Sequence, residues 1–334
     1  MKRTFRILAI ELISLCSLLV LSSCQFGEME SQKLVNRAAD LFEESKYDSA
    51  SKLLQQALDT DPNNAEALYW MSRIDMKYRD PKGAQTKLNQ ALGIEPENRE
   101  FMRMLMLSHK SEAEERILNG EFEPAQGAYM ACARVGEQIV SLDAYDALTH
   151  LERARCFLGA KEYDSAVEAY EASIRANPFL KSSDGTTEHY KELGEMYRRF
   201  GFFDKAIRVL NNGILNNLDD GVLETSVADV LMETGAYEEA LAHYDRASKV
   251  MLESDSTRLR AMSAIYGAGM ASYALARLDE KALRMREARD RYASARDWLT
   301  AYVEGALEPK DRLRRSSVVH LLKIIEAKLG EETI

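Results

Sequence analysis

Small and apolar residues recur in a fixed frame along most of the 334-residue chain. The run Lys46-Tyr47-Asp48-Ser49-Ala50, then Leu54, Ala57 and Pro62, is followed 34 positions later by Ala84, Leu88, Ala91 and Pro96. The frame returns at Glu121-Phe122-Glu123-Pro124-Ala125 with Tyr129, and at Glu162-Tyr163-Asp164-Ser165-Ala166 with Tyr170 and Pro178. Two further copies place Ala206 with Leu210, and Ala240 with Tyr244 and Ala247. The six alanines are 34, 41, 41, 40 and 34 residues apart. A period of this length marks stacked supersecondary units, and the apolar spacing inside each unit predicts a pair of helices.

The departures from the period are informative. Pro96 to Ala125 spans 29 residues against 22 from Pro62 to Ala84, so the first helix of unit three gains about two turns at 3.6 residues each. Between units four and five the extra residues, Lys181 to Thr187, read as a polar loop. A seventh, degenerate pair is predicted over Leu259–Ala276 and Lys281–Val303. Gly267-Ala268-Gly269 lies inside it with no strand before it, which favours close helix packing over a dinucleotide loop. A last helix is predicted from near Pro309 to Gly330, with Val318, Leu321, Leu322, Ile325 and Leu329 forming one apolar stripe. Its other side is charged, as in the cap that closes a repeat array; a partner-binding amphipathic helix is the alternative.

Tyr190-x-x-Leu193-Gly194-x-x-Tyr197 closely follows the tetratricopeptide signature W-x-x-L-G-x-x-Y, with Tyr in place of Trp. The chain therefore resembles the tetratricopeptide-repeat family. The resemblance implies an all-α, right-handed superhelical solenoid of about six to seven helical hairpins with a C-terminal capping helix. In that pattern Gly194, and Ala38, Ser72, Ala154 and Ala228 in other units, let helix A approach helix B. The aromatic Tyr47, Tyr163 and Tyr237 plug the turn between them.

The first residues follow another pattern. Lys2, Arg3 and Arg6 precede an apolar run from Leu12 to Leu21, which is too short to span a bilayer. Leu21-Ser22-Ser23-Cys24 comes next and resembles the bacterial lipoprotein signal; Glu11 is its one departure. The resemblance implies cleavage before Cys24 and acylation of that residue, the only prosthetic group expected. The chain is then divided into a signal peptide (1–23), a lipidated tether (24–31), a six-repeat array (32–256), a degenerate repeat (257–308) and a cap (309–334). Gln25, where some inner-membrane lipoproteins carry Asp, favours an outer membrane facing the periplasm.

Composition narrows the chemistry. Only 6 Pro and 17 Gly fit stacked helices better than a loop-rich chain. The five histidines are scattered without metal-site spacing, and no nucleophile, P-loop or kinase motif is present. No catalytic residue, metal or cofactor is therefore expected. Met71, Met76, Met102, Met104 and Met106 read as core and groove packing rather than a soft-metal site. Cys132 and Cys156 read as buried free thiols, although an exported chain permits a disulfide.

Surface is what remains. Helix A lines the concave face of the family, and its registered positions in units two to five include Tyr69, Arg73, Lys77, Lys110, Arg155, Lys191 and Arg199. These are the candidate partner-binding residues, with an acidic segment as the expected occupant. The family's carboxylate clamp does not transfer, because its first-unit positions hold Val35 and Ala39. Residues 24–256 carry a net charge of −16 and residues 257–315 of +5, which permits head-to-tail homo-oligomers and makes nucleic acid the wrong partner. The expected function is a lipid-anchored adaptor that binds other cell-envelope proteins or peptide segments. The alternative is an oligomeric accessory subunit of an envelope transport complex, with a pore for a small or hydrophobic ligand.

Overall fold

The computed structural model describes residues 27–182, 187–218, 220–253, 258–306 and 311–330. Cys24, Pro309 and the signal segment lie outside the described residues. Among those described the chain is all-α. Helix α1 covers residues 27–43. It is followed by α2 (Tyr47–Thr60), α3 (Ala65–Lys77), α4 (Pro81–Ile94), α5 (Arg99–Leu118), α6 (Phe122–Leu142), α7 (Ala147–Gly159) and α8 (Tyr163–Ala176). Then come α9 (Glu188–Arg199), α10 (Phe203–Asn216), α11 (Gly221–Thr234), α12 (Tyr237–Leu252), α13 (Arg258–Lys281), α14 (Met285–Gly305) and α15 (Arg312–Leu329).

These helices form seven hairpins and a final helix, as the repeat frame predicts. They fall into two compact units, residues 1–169 and 170–334. In the first, consecutive helices from α2 to α7 pack in order and α3 also meets α5. In the second, consecutive helices from α9 to α15 do the same, with α9 against α11 and α11 against α13. Within the units α3, α9 and α11 thus touch both their own B helix and the next A helix.

The turn between A and B is the same in all seven hairpins. One residue takes a left-handed conformation: Ser45, Arg79, Gly120, Lys161, Gly201, Gly235 or Leu283. The following N–H donates back five residues, as Lys46 to Leu41, Asp80 to Asp75, Glu121 to Arg116 and Arg284 to Asp279, at 2.8–2.9 Å. This is a Schellman closure, which satisfies carbonyls left over at a helix end. The seventh hairpin is degenerate in sequence yet closes in the same way. Its first helix runs longer than expected, so that Lys281 ends α13 rather than starting α14.

Packing follows the register. Ala50, Ala84, Ala125, Ala166, Ala206 and Ala240 are buried, as are Leu54, Leu88, Tyr129, Tyr170, Leu210 and Tyr244. The small positions Ala38, Ser72, Ala154 and Ala228 are fully buried, and Ala113 supplies the same position in unit three. A Cβ on Gly194 would stand 2.6 Å from Leu210, and one on Gly267 would stand 2.4 Å from the Tyr244 ring. The glycines of the Gly-Ala-Gly run are therefore close-packing positions.

The predicted extension of α5 is present: 20 residues against 13 in α3. Helix α6 is extended as well, at 21 residues against 14 in α4. The last helix buries Val318, Ile325 and Leu329, packs on α14 and stops at Gly330 with φ 75°.

Two expectations change. Residues 27–31 belong to α1 and not to a tether. Ser31 is buried there, donating to the Ala57 carbonyl at 2.9 Å and accepting from Asn64 at 2.9 Å, so helix continuation satisfies a residue that a solvated linker would leave to water. Cys132 and Cys156 are joined in a disulfide rather than free, because α6 and α7 bring their Cα atoms to 6.0 Å.

Two outcomes test this account. Leu283 is exposed and left-handed, so Leu283→Gly removes a steric cost and raises unfolding stability by about 1 kcal/mol in urea titrations. Reducing the disulfide, whose cysteines are 24 residues apart, lowers stability by about 3 kcal/mol in the same assay.

Candidate functional site

Tyr69, Arg73 and Lys77 are spaced four residues apart along α3 and therefore share one face. Tyr69 donates its hydroxyl to Glu100 of α5 at 2.7 Å and stacks on Phe101 at 5.1 Å. Burial, reinforced by the Glu100 carboxylate, raises the Tyr69 phenol above its ordinary range. Arg73 lies against two rings that meet edge to face at 5.4 Å, with its guanidinium carbon 4.4 Å from the Phe42 centroid and 4.3 Å from that of Trp70. Its carboxylate neighbour, Glu43, is 3.7 Å away and largely exposed. Lys77 sits 5.9 Å from the same Phe42 ring. The rings fix the arginine's orientation and leave its N–H edge for an anion.

Further along the first unit, Lys110 of α5 reaches Glu152 of α7 at 2.9 Å, and Arg155 binds the same carboxylate at 2.5 Å. Burial works against ionising Glu152, but its two cations outweigh it and hold the carboxyl below the usual range. Arg103 is tied to Asp146 at 2.5 Å. In the second unit, Arg199 donates to Glu195 at 2.8 Å, and Lys191 is exposed. Arg198 also binds Glu195, and this bond leads the causes that depress the Glu195 carboxyl.

The structure thus gathers Tyr69, Arg73 and Lys77, joins Lys110 to Arg155 through Glu152, and places Lys191 and Arg199 in the other unit. Much of the basic excess counted along the A helices is engaged by carboxylates: Glu195 at a counted position, and Glu43 and Glu152 off them. Two of these pairs were readable as helical neighbours, Glu152 with Arg155 and Glu195 with Arg199. Glu43 with Arg73 and Lys110 with Glu152 cross between helices and carry no local signal.

Residues 41–106 match the family profile described as tetratricopeptide repeat. That stretch carries tetratricopeptide repeats. Comparison with curated proteins gives no match. Among solved structures, a tetratricopeptide repeat protein from Parabacteroides merdae is 16% identical, with 89% of this chain and 99% of that one covered and a TM-score of 0.46. MamA from Desulfovibrio magneticus is 15% identical, covering 56% of this chain and 94% of its own, with a TM-score of 0.46. PilF of Pseudomonas aeruginosa is 12% identical, covering 70% and 96%, with a TM-score of 0.43. Nothing about partners is taken from these likenesses.

Two of the histidines have structural partners. His150 faces the Ala144 carbonyl at 3.1 Å, and His243 meets Glu224 at 2.5 Å. Among the described residues no three His, Cys, Asp or Glu side chains are grouped to hold a metal ion. Nor is any described helix long and apolar enough to cross a membrane.

His189 is fully buried, and burial lowers its pKa to about 4, with the Pro178 carbonyl acting in the opposite sense. Above about pH 6.5 the ring is neutral in both the folded and unfolded states. As pH falls from there toward 4 the unfolded chain takes up the proton first, so folding stability is lost. Between pH 7 and pH 5 the native chain should lose about 2 kcal/mol more than His189→Gln, read from paired urea titrations.

Proposed function

We propose that this chain is a non-catalytic adaptor of the bacterial cell envelope, tied by an acylated Cys24 to a membrane and binding protein segments along its A helices. Tetratricopeptide arrays are protein-interaction scaffolds, and the stacked Arg73 is the observation that carries the reading here. A guanidinium held against Phe42 and Trp70 is oriented before a partner arrives, so less freedom is lost on binding an acidic side chain.

Two further observations support the envelope address. The Cys132–Cys156 disulfide suits an oxidising compartment outside the cytosol. Helix α1 begins by residue 27, so lipid on Cys24 would leave three residues of tether, about 10 Å at full extension. The array would then work close to the bilayer, where confinement raises the effective concentration of any partner on the same membrane. Gln25 favours the outer membrane, facing the periplasm. The alternative, a transport subunit with a ligand pore, is less well supported: the apolar cavity lined by Met106, Leu107, Cys132 and Leu148 is about 200 Å³, below the ~300–1,000 Å³ usual for small-molecule sites.

Cross-linking in intact cells with mass spectrometry tests the proposal. The native chain should take up an alkyne fatty acid and yield a reproducible partner, and Cys24→Ala should lose the label and most of the cross-link. Arg73→Ala should weaken binding of that partner ten- to a hundredfold, corresponding to about 1.5–3 kcal/mol for a hydrogen bond to a charged group. Reproducible absence of any partner would sink the adaptor reading.

A further inference from the structure

The cavity in the first unit lies among α5, α6 and α7, where the two extended helices meet the ordinary 13-residue α7. Its walls are Met106, Leu107, Cys132 and Leu148. Cys132 is fully buried, and its bond to Cys156 pins α6 to α7 behind the space. Leu107 and Leu148 are 49% and 53% exposed, so the apolar lining continues outward to solvent.

The mouth carries charge, but in matched pairs. Arg103 is held by Asp146 at 2.5 Å and Lys110 by Glu152 at 2.9 Å. Seating a carboxylate here would require breaking one of these pairs. Electrostatic complementarity therefore lies with an uncharged group, in contrast to the Arg73 edge. Size narrows the choice. An apolar cavity of about 150 Å³ accepts benzene, so about 200 Å³ accommodates one ring or one branched aliphatic side chain and little more.

We infer that this cavity is an anchor pocket for a single large apolar side chain, Phe or Leu in kind, carried by an extended segment of the bound protein. The inference rests on the adaptor reading and adds to it a chemical requirement at one position of the partner. Such a side chain, buried in a preformed pocket within a charged rim, is the usual form of a binding hot spot. The paired charges at the rim exclude a charged residue at that position and shield the buried contact from water.

The test is a titration of the full oxidised chain, ¹³C-labelled at Met and Leu methyls, with the peptides acetyl-Gly-Gly-X-Gly-Gly-amide. With X as Phe or Leu, the methyls of Met106, Leu107 and Leu148 should shift saturably, with at least tenfold tighter binding than for X as Asp or Ala. Leu148→Asp, a change at a half-exposed position, should abolish the response while leaving the methyl spectrum of the second unit unchanged. Equal binding of the Phe and Asp peptides, or shifts confined to other methyls, overturns the inference. So does saturation by dodecanoate at or below the concentration needed for the Phe peptide, which would make the pocket a lipid-chain site. Shifts of the same methyls with protein concentration alone would assign it to a second copy and also overturn the inference. These readouts need no cellular partner, so they separate failure of the pocket from failure of the adaptor.

Discussion

Each unit depends on one steric constraint: helix A can cross helix B closely only where both present a side chain too small to hold them apart. Ala38 and Ala50 meet that demand in the first hairpin, and Ala228 and Ala240 in the sixth; all four are fully buried. The larger Leu54, Leu88, Tyr170 and Leu210 then fill the space left beside the crossing. A methyl group added at Gly194 would strike Leu210 instead of filling a gap, so even one carbon matters at these positions. The turns are subordinate to this packing. Ser45, Arg79, Lys161 and Leu283 accept a left-handed backbone that glycine would adopt at lower cost, because the crossing requires the chain to reverse there.

That dependence explains what could be read from the sequence. The crossing residues are small, recur at a fixed interval and lie within one hairpin, so their register was legible over six units and the seventh could be placed within a few residues. The length of α5 was legible because Pro96 and Ala125 bracket it. The matching extension of α6 was hidden, since the 41-residue step from Ala125 to Ala166 does not say which element received the extra turns. The disulfide was open to either reading for a similar reason. Cys132 and Cys156 face one another only once both helix lengths are known, and spacing alone did not distinguish a pair from two core thiols.

The candidate site was legible as a set of cations and largely illegible as a surface. Counting helix A positions finds Arg73, Lys110, Arg155 and Arg199. It does not find the carboxylates that meet them across helices, as Glu43 meets Arg73 and Glu152 meets Lys110. The basic stretch at the end of the chain shows the same limit. Arg284 and Arg291 both bind Asp279, which is 2% exposed, at 2.5 and 2.9 Å. Part of that positive charge is committed inside the second unit, where losing both arginines would strand the buried Asp279 carboxylate. Net charge along the sequence therefore overstates what those residues can offer a partner.

Arg73 differs from the other cations in how it is held. Lys110, Arg155 and Arg199 are positioned by carboxylates, so an incoming acidic group must compete with a charge already in place. Arg73 is positioned chiefly by Phe42 and Trp70, whose faces orient the guanidinium without consuming its hydrogen-bond donors. The aromatic residues that close the first hairpin onto the second therefore also prepare a binding group. The disulfide has a comparable double role, since joining α6 to α7 both ties the third hairpin to the fourth and fixes one wall of the cavity beside it. In the first unit the contacts that hold the repeats together also determine which chemical groups the surface can receive.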